Sequence, residues 1–335
     1  MSSPRGTTRR VAIGGPHDLR LEHVDLAEPR PGEARLRPLA IGICGSDLHV
    51  LAGHHPFVEY PVLPGHEIAA EVVAVGDDAD GAWIGARVAL EPSLVCGTCR
   101  NCRAGRYNIC ESLRVMGFQA PGGMAEAFNA PLDRLHRLPD ALADTVGALV
   151  EPVAVATHAV RLAKEIAGEL DGADVAVVGA GTIGLLCAQV ARAAGGEVTI
   201  SDLDDARSEI ARDFGFTTLG TLGERAFDVV FECVGNEGAL RGAVDALRKG
   251  AAVIVVGVYG SDPKLQAGLI QDRELCLQGS LMYTSEDYRE AIRLLVEGSI
   301  DADRMITSVH PLANVEEAFE IAAAGGGSLK VVLRP

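Results

Sequence analysis

No run of about 18 apolar residues, the length a membrane-crossing helix needs, occurs anywhere in the sequence. The nearest approach, VAVVGAGTIGLLCAQVARAAG, is broken by glycines and reads as a strand, a turn and a helix. MSSPRGTTRR does not lead into the apolar segment of a secretion signal, so a cytoplasmic protein with reduced thiols and no membrane partner is expected. Basic residues are in deficit: 30 Lys and Arg stand against 46 Asp and Glu, and a formal charge of −16 disfavours nucleic acid as a partner. Internal repeats and low-complexity segments are absent as well. What is present, 48% hydrophobic and 23% charged residues over 335 positions, is a globular balance with length for about two domains.

Cysteine is sparse, at 8 residues, yet four of them fall within VCGTCRNCRAGRYNIC. The spacing C-x2-C-x2-C-x7-C leaves little chain between the first three sulfurs for ordinary disulfide geometry. Four thiolates on a tight loop suit tetrahedral zinc or an iron–sulfur cluster. No proline follows Cys110 and no second cluster motif occurs, which favours structural zinc on Cys96, Cys99, Cys102 and Cys110.

Organisation changes along the chain. RRVAI, LRLEHVDL, EARLRPLAIGIC, HEIAAEVVAVG and ARVAL alternate in the manner of strands, so the amino-terminal part reads as a mostly β domain with long loops. From about residue 141 the apolar spacing becomes helical. DVAVV, EVTIS, FDVVFE, AAVIVV and LCLQG then alternate with helices, the pattern of a parallel, doubly wound α/β sheet. The tail, from SEDYREAIRLLVEG to LKVVL, is expected to return to the first domain. The expected division is 1–152, 153–282 and 283–335, with the cysteine lobe at about 95–111.

Gly179, Gly181 and Gly184 stand in G-x-G-x-x-G spacing between a strand and a helix, where backbone can approach a pyrophosphate at the helix N-terminus. Asp202 ends the next strand, eighteen residues past Gly184, and is placed to accept from ribose hydroxyls and repel a 2′-phosphate. S-adenosylmethionine sites share this geometry, but NAD is the preferred reading. Further cofactor contacts are expected from Ile183, Arg207, Val234, Val256, Val258, Leu281 and Tyr283. Upstream, IGICGSDLH and PGHE hold Cys44, His66 and Glu67, a possible zinc set with an open position.

ICGSDLH, PGHE, CGTCRNCRAGRYNIC and GAGTIG occur in the order found in the zinc-dependent medium-chain alcohol dehydrogenases, which the whole chain resembles. LVEP is similar to the branch holding sorbitol, threonine and 2,3-butanediol dehydrogenases. The resemblance implies a GroES-like catalytic domain, a Rossmann domain, two zinc ions per chain, NAD, and a homodimer or homotetramer. It implies a catalytic zinc on Cys44, His66 and Glu67, with Glu151 just outside and Asp47 steadying the site. Hydride would pass between an alcohol and the nicotinamide, with Ser46 and His49 relaying the hydroxyl proton.

Gly85-Ala86-Arg87-Val88 departs from the family's Gly-Asp-Arg-Val. Val50 and Met282 stand where sorbitol enzymes carry a tyrosine and an arginine, and Phe57 and Phe118 add apolar lining. A small secondary alcohol or vicinal diol resembling 2,3-butanediol is therefore the expected substrate. Alternatives are a cyclitol, polyol or threonine dehydrogenase, or a non-enzymatic NAD-binding zinc protein. His54 and His55 match no motif and read as loop residues, and Cys187, Cys233 and Cys276 as core.

Overall fold

Alternating residues in the amino-terminal third form antiparallel sheet. In the computed structural model, which describes residues 6–77, 80–223, 226–325 and 327–335, Gly6–Gly15 pairs with Asp18–Leu26. A larger sheet runs in the order Ile306–Pro311, Lys330–Arg334, Glu33–Ile43, Glu67–Val75, Arg87–Leu90 and Leu135–Arg137, with Phe128–Pro131 also paired to Glu33–Ile43. Its inward residues, among them Leu36, Ile41, Ile68, Val88 and Leu333, share one core with Val315 and Phe319 of helix Val315–Ala324. Removing such side chains from water is what holds this sheet together.

The second unit is a six-stranded parallel sheet. Its order is Thr217–Leu219, Glu197–Ser201, Asp174–Val178, Phe227–Glu232, Leu247–Val255 and Cys276–Gly279. Crossover helices such as Thr182–Ala193 and Glu237–Asp245 connect the strands, the doubly wound arrangement expected. Val175, Ala176, Val177, Val229, Val230 and Phe231 are buried, which explains their unbroken apolar runs.

The chain divides into Met1–Glu151 with Ala302–Pro335, and Pro152–Asp301. The first crossing falls at 151/152, one residue before the expected 152/153, and the second at 301/302, well past the expected 282/283. Polar contacts explain the difference. Asp287 on helix Ser285–Val296 accepts from Arg161 Nε at 2.8 Å and lies 3.0 Å from His158 Nδ1. Asp301 N–H donates to Gln189 Oε1 at 2.7 Å. These bonds keep 283–301 with the parallel sheet.

One helical expectation is also corrected. The run from residue 141 is broken into Asp144–Gly147 and Val150–Ala167. The crossover helix Glu237–Asp245 ends where it does because Leu247 enters the parallel ladder opposite Phe227.

Candidate active site

Cys44 precedes the short helix Gly45–Leu51, and its backbone N–H donates to Asp47 Oδ2 at 2.9 Å. This reciprocal use of the first helical turn holds Cys44 at the start of the helix. His66 and Glu67 follow Gly65, whose φ is +104° and whose Cβ, if present, would meet Met124 N at 2.3 Å. Only glycine passes there, and the next two side chains are thereby brought beside Cys44. Ligand atoms of Cys44, His66 and Glu67 all lie within 4.8 Å of one another.

The electrostatics of this cluster favour a cation. His66 Nδ1 and Asp47 Oδ1 are 3.7 Å apart, and both are buried without a hydrogen-bond partner among the described residues. Burial alone would lower the His66 pKa, but Asp47, Cys44 and Glu151 carry it well above the ordinary value. Burial raises the Asp47 carboxyl, against the pull of His66. A sulfur, an imidazole and a carboxylate in this setting fit a zinc ion with one open coordination position.

Glu67 has a partner that sequence reasoning missed. Lys330 Nζ donates to both Glu67 oxygens at 2.7 Å and to the Ile43 carbonyl at 3.2 Å. Burial opposes the Lys330 charge, but Glu67, with Cys44 and Glu151 nearby, raises its pKa. Gly42 lies opposite Glu67 in the sheet, where a Cβ would come within 2.1 Å of Glu67 Oε2. The signal for Lys330 was a lysine set in the apolar run LKVVL. Glu151, in the first turn of Val150–Ala167, is buried at 7% exposure.

Ser46 and His49 are three residues apart and therefore share a face of the helix Gly45–Leu51. Ser46 is half-buried and His49 exposed. Phe118 packs against His66, with ring centroids 4.8 Å apart, and stacks on His55 at 4.9 Å. Phe57 is 70% exposed, edge-on to His55. Val50 corrects an expectation: at 1% exposure it packs with Ile13 and Val62, so its side chain belongs to the core and lines no substrate space. His55 is a loop residue, as expected, and also part of the aromatic wall beside His66.

In the parallel unit, Gly179 takes φ +100°, and a Cβ on Gly184 would lie 1.8 Å from the Gly179 carbonyl oxygen. Both glycines are dictated by the fold. Gly181 differs: apart from its chain neighbours, a Cβ there meets no atom of the described residues within 4 Å. Its open surround, at the N-cap of helix Thr182–Ala193, fits a pyrophosphate brought close to backbone. Asp202 accepts from Ala180 N–H at 2.7 Å and Asp204 N–H at 2.9 Å, tying the strand end to the glycine turn. A cavity of about 560 Å³ is lined by Gly179, Asp202, Leu203, Arg207, Val234 and Ala239, among others.

Leu203, Val234, Val258 and Leu281 are exposed at 84%, 45%, 58% and 52%, an apolar set that suits planar cofactor rings. Leu203 was not foreseen, although a leucine within SDLDD was its signal. Ile183, Val256 and Met282 are half-buried. Tyr283 is a correction: its side chain is fully buried, edge-on to Tyr288 at 5.0 Å, and presents no surface to a cofactor.

The cysteine lobe holds four free thiols. Sulfur separations are 3.5 Å for Cys96–Cys110, 3.9 Å for Cys96–Cys102 and 4.0 Å for Cys99–Cys110. Tetrahedral zinc with bonds of about 2.3 Å places its sulfurs about 3.8 Å apart, whereas a disulfide needs about 2.05 Å. Backbone N–H donors of Thr98 and Cys99 lower the Cys96 pKa to about 6, while desolvation and neighbouring thiols drive Cys102 to about 12. Four thiols so close cannot all ionise unless a cation joins them.

Two family descriptions match the chain: "Alcohol dehydrogenase GroES-like domain" over residues 30–140 and "Zinc-binding dehydrogenase" over 182–297. The L-galactonate-5-dehydrogenase of Escherichia coli K12 is 34% identical over 319 residues, covering 91% of this chain and 92% of its own. The sorbitol dehydrogenase of Bacillus subtilis 168 is 30% identical, covering 95% and 94%. A zinc-binding dehydrogenase structure from Sinorhizobium meliloti 1021, solved with NADP, superposes with a TM-score of 0.90 at 31% identity, covering 99% and 100%. The chain thus belongs to the zinc-dependent medium-chain alcohol dehydrogenases, a polyol and alcohol dehydrogenase that works with zinc and a nicotinamide cofactor.

Proposed function

We propose that the protein interconverts a secondary alcohol and its ketone on a polyhydroxylated substrate, a polyol or sugar acid, with NAD as hydride carrier. The observation that carries this reading is the Cys44–His66–Glu67 cluster beside the helix face of Ser46 and His49. Cys44, His66 and Glu67 would hold zinc, with Glu151 near enough to be felt at His66. When bound, zinc acts as a Lewis acid that lowers the pKa of the substrate hydroxyl.

The chain's own groups do the rest. Ser46 Oγ would accept the hydroxyl proton as it gives up its own, which passes by way of the nicotinamide ribose to His49, exposed on the same helix face, and so to solvent. Asp47 orients the site from behind through its bond to the Cys44 backbone. Gly181 and the helix N-terminus receive the pyrophosphate, and Asp202 accepts from the adenosine ribose while disfavouring a 2′-phosphate. The Sinorhizobium relative was solved with NADP, so cofactor choice is a direct test of Asp202.

The preference for a small diol rested on Val50 and Met282 in place of polar side chains, with Phe57 and Phe118 as apolar lining. Val50 is buried and adds nothing to that lining. The relatives named for L-galactonate and sorbitol support the wider polyol class, of which 2,3-butanediol is a small member. The test is kcat/KM with NAD⁺ for an aldonate, sorbitol, 2,3-butanediol, a cyclitol, threonine and 2-butanol. A polyol or sugar acid should lead. Threonine or 2-butanol in first place would refute the reading.

A further inference from the structure

We propose that His55 recognises a substrate hydroxyl remote from the reacting carbon, and so sets the preference for polyhydroxylated over simple alcohols. This deepens the functional reading above and rests on it. His55 lies beyond the helix Gly45–Leu51, in a segment without regular structure. Its ring is stacked on Phe118 with centroids 4.9 Å apart and planes 16° apart. Phe118 in turn packs on His66 at 4.8 Å, so His55 stands two ring spacings out from a candidate metal ligand. A substrate of several carbons spans that distance. A two- or three-carbon alcohol held at the metal does not.

The orientation of the ring carries the chemistry. Phe57 N–H donates to His55 Nδ1 at 3.3 Å, so in the neutral ring the proton sits on Nε2. The turn is held from outside by Gln119 Nε2, which donates to the Phe57 carbonyl at 2.8 Å. His55 Nε2 has no protein partner among the described residues. One face of the ring is stacked, one nitrogen is satisfied, and the remaining donor is unused. Burial, with His49 and His66 close by, lowers the His55 pKa, which keeps the ring neutral near pH 7. A neutral N–H is suited to a hydroxyl oxygen, and a simple alcohol offers it none.

A purely structural histidine would serve only to stack on Phe118, and another aromatic ring could replace it. His55→Phe keeps the stack and removes the donor, whereas His55→Gln keeps a donor and removes the ring. For the leading polyol, His55→Phe should raise KM by roughly 5- to 10-fold, the size of one neutral hydrogen bond, with the effect in KM and not kcat. The ratio of kcat/KM for that polyol over 2-butanol should fall by the same factor, and His55→Gln should restore most of it. An unchanged ratio in His55→Phe, or equal losses in both variants on both substrates, would overturn the proposal. Zinc content and melting temperature of both variants establish that they fold. Should His55→Phe not fold, an unaltered ratio with His55→Asn, which shortens the reach of the donor, overturns it instead. A wild type that oxidises 2-butanol but no polyol refutes the functional reading itself, and is distinguished by needing no variant.

Discussion

Lys330 donates to both carboxylate oxygens of Glu67 from a strand 263 positions further along the chain. Both side chains are buried, so each is the other's charge compensation. In metal-free protein, Lys330→Met would leave Glu67 buried without its counter-ion, a change worth about 3–5 kcal/mol. A fall in melting temperature on the order of 10 °C is expected, with Lys330→Arg retaining more stability than Lys330→Met. Unaltered melting in Lys330→Met would show that the pair is idle.

The glycine turn separates folding from binding. Gly184→Ala places a methyl 1.8 Å from the Gly179 carbonyl oxygen and should yield unstable or insoluble protein. Gly181→Ala meets no atom of the described residues beyond its chain neighbours within 4 Å, so melting should stay near wild type. NADH affinity, read by fluorescence titration, should weaken roughly 10-fold or more as the methyl displaces the pyrophosphate. Full NADH affinity in Gly181→Ala would remove the phosphate from this turn.

Asp202→Ala should shrink the preference for NAD over NADP, because the charge opposing a 2′-phosphate is gone. Its two backbone bonds, to Ala180 and Asp204, are lost as well. Activity with NAD should therefore drop by about 10-fold or more in kcat/KM, the scale of charged hydrogen bonds. A wild type that works better with NADP contradicts the assignment outright.

Asp287 titrates below the usual carboxylate range, since the bonds from His158, Arg161 and Thr284 outweigh the opposing effect of burial. A carboxyl depressed in the folded state adds stability above its unfolded pKa of about 3.9, and the gain is lost as pH falls toward the folded value. The melting difference between wild type and Asp287→Asn should thus be widest near neutral pH and narrow below about pH 4. A difference that grows on acidification would have the wrong sign.

Metal analysis should find two zinc ions per chain, falling to one in Cys99→Ser with loss of stability and solubility. Fully active protein with a single zinc would refute a structural role for the lobe.

Much of this architecture is legible in the sequence because its signals are local. The glycine turn and the C-x2-C-x2-C spacing each lie within one short segment. Both chain crossings follow from a change of periodicity, but the second was placed early because Asp287 and Gln189 act through residues far away in sequence. Val50 and Tyr283 were misread for the same reason: family position says which residue stands at a place, whereas burial says where its side chain goes. Lys330 carried only the signal of a lysine in an apolar strand, since its role depends on a strand that joins the sheet only after the whole second unit has been traversed.

The 2.1 Å approach of a Cβ at position 42 to Glu67 has an evolutionary corollary. In a descendant of this chain, Gly42 cannot acquire a side chain until the acid across the ladder has been shortened or replaced, and that replacement strands the buried amine of Lys330. Positions 42, 67 and 330 therefore drift as a trio. A saturation library at all three, sorted for folded protein, should return clones in which glycine, acid and base survive jointly or disappear jointly.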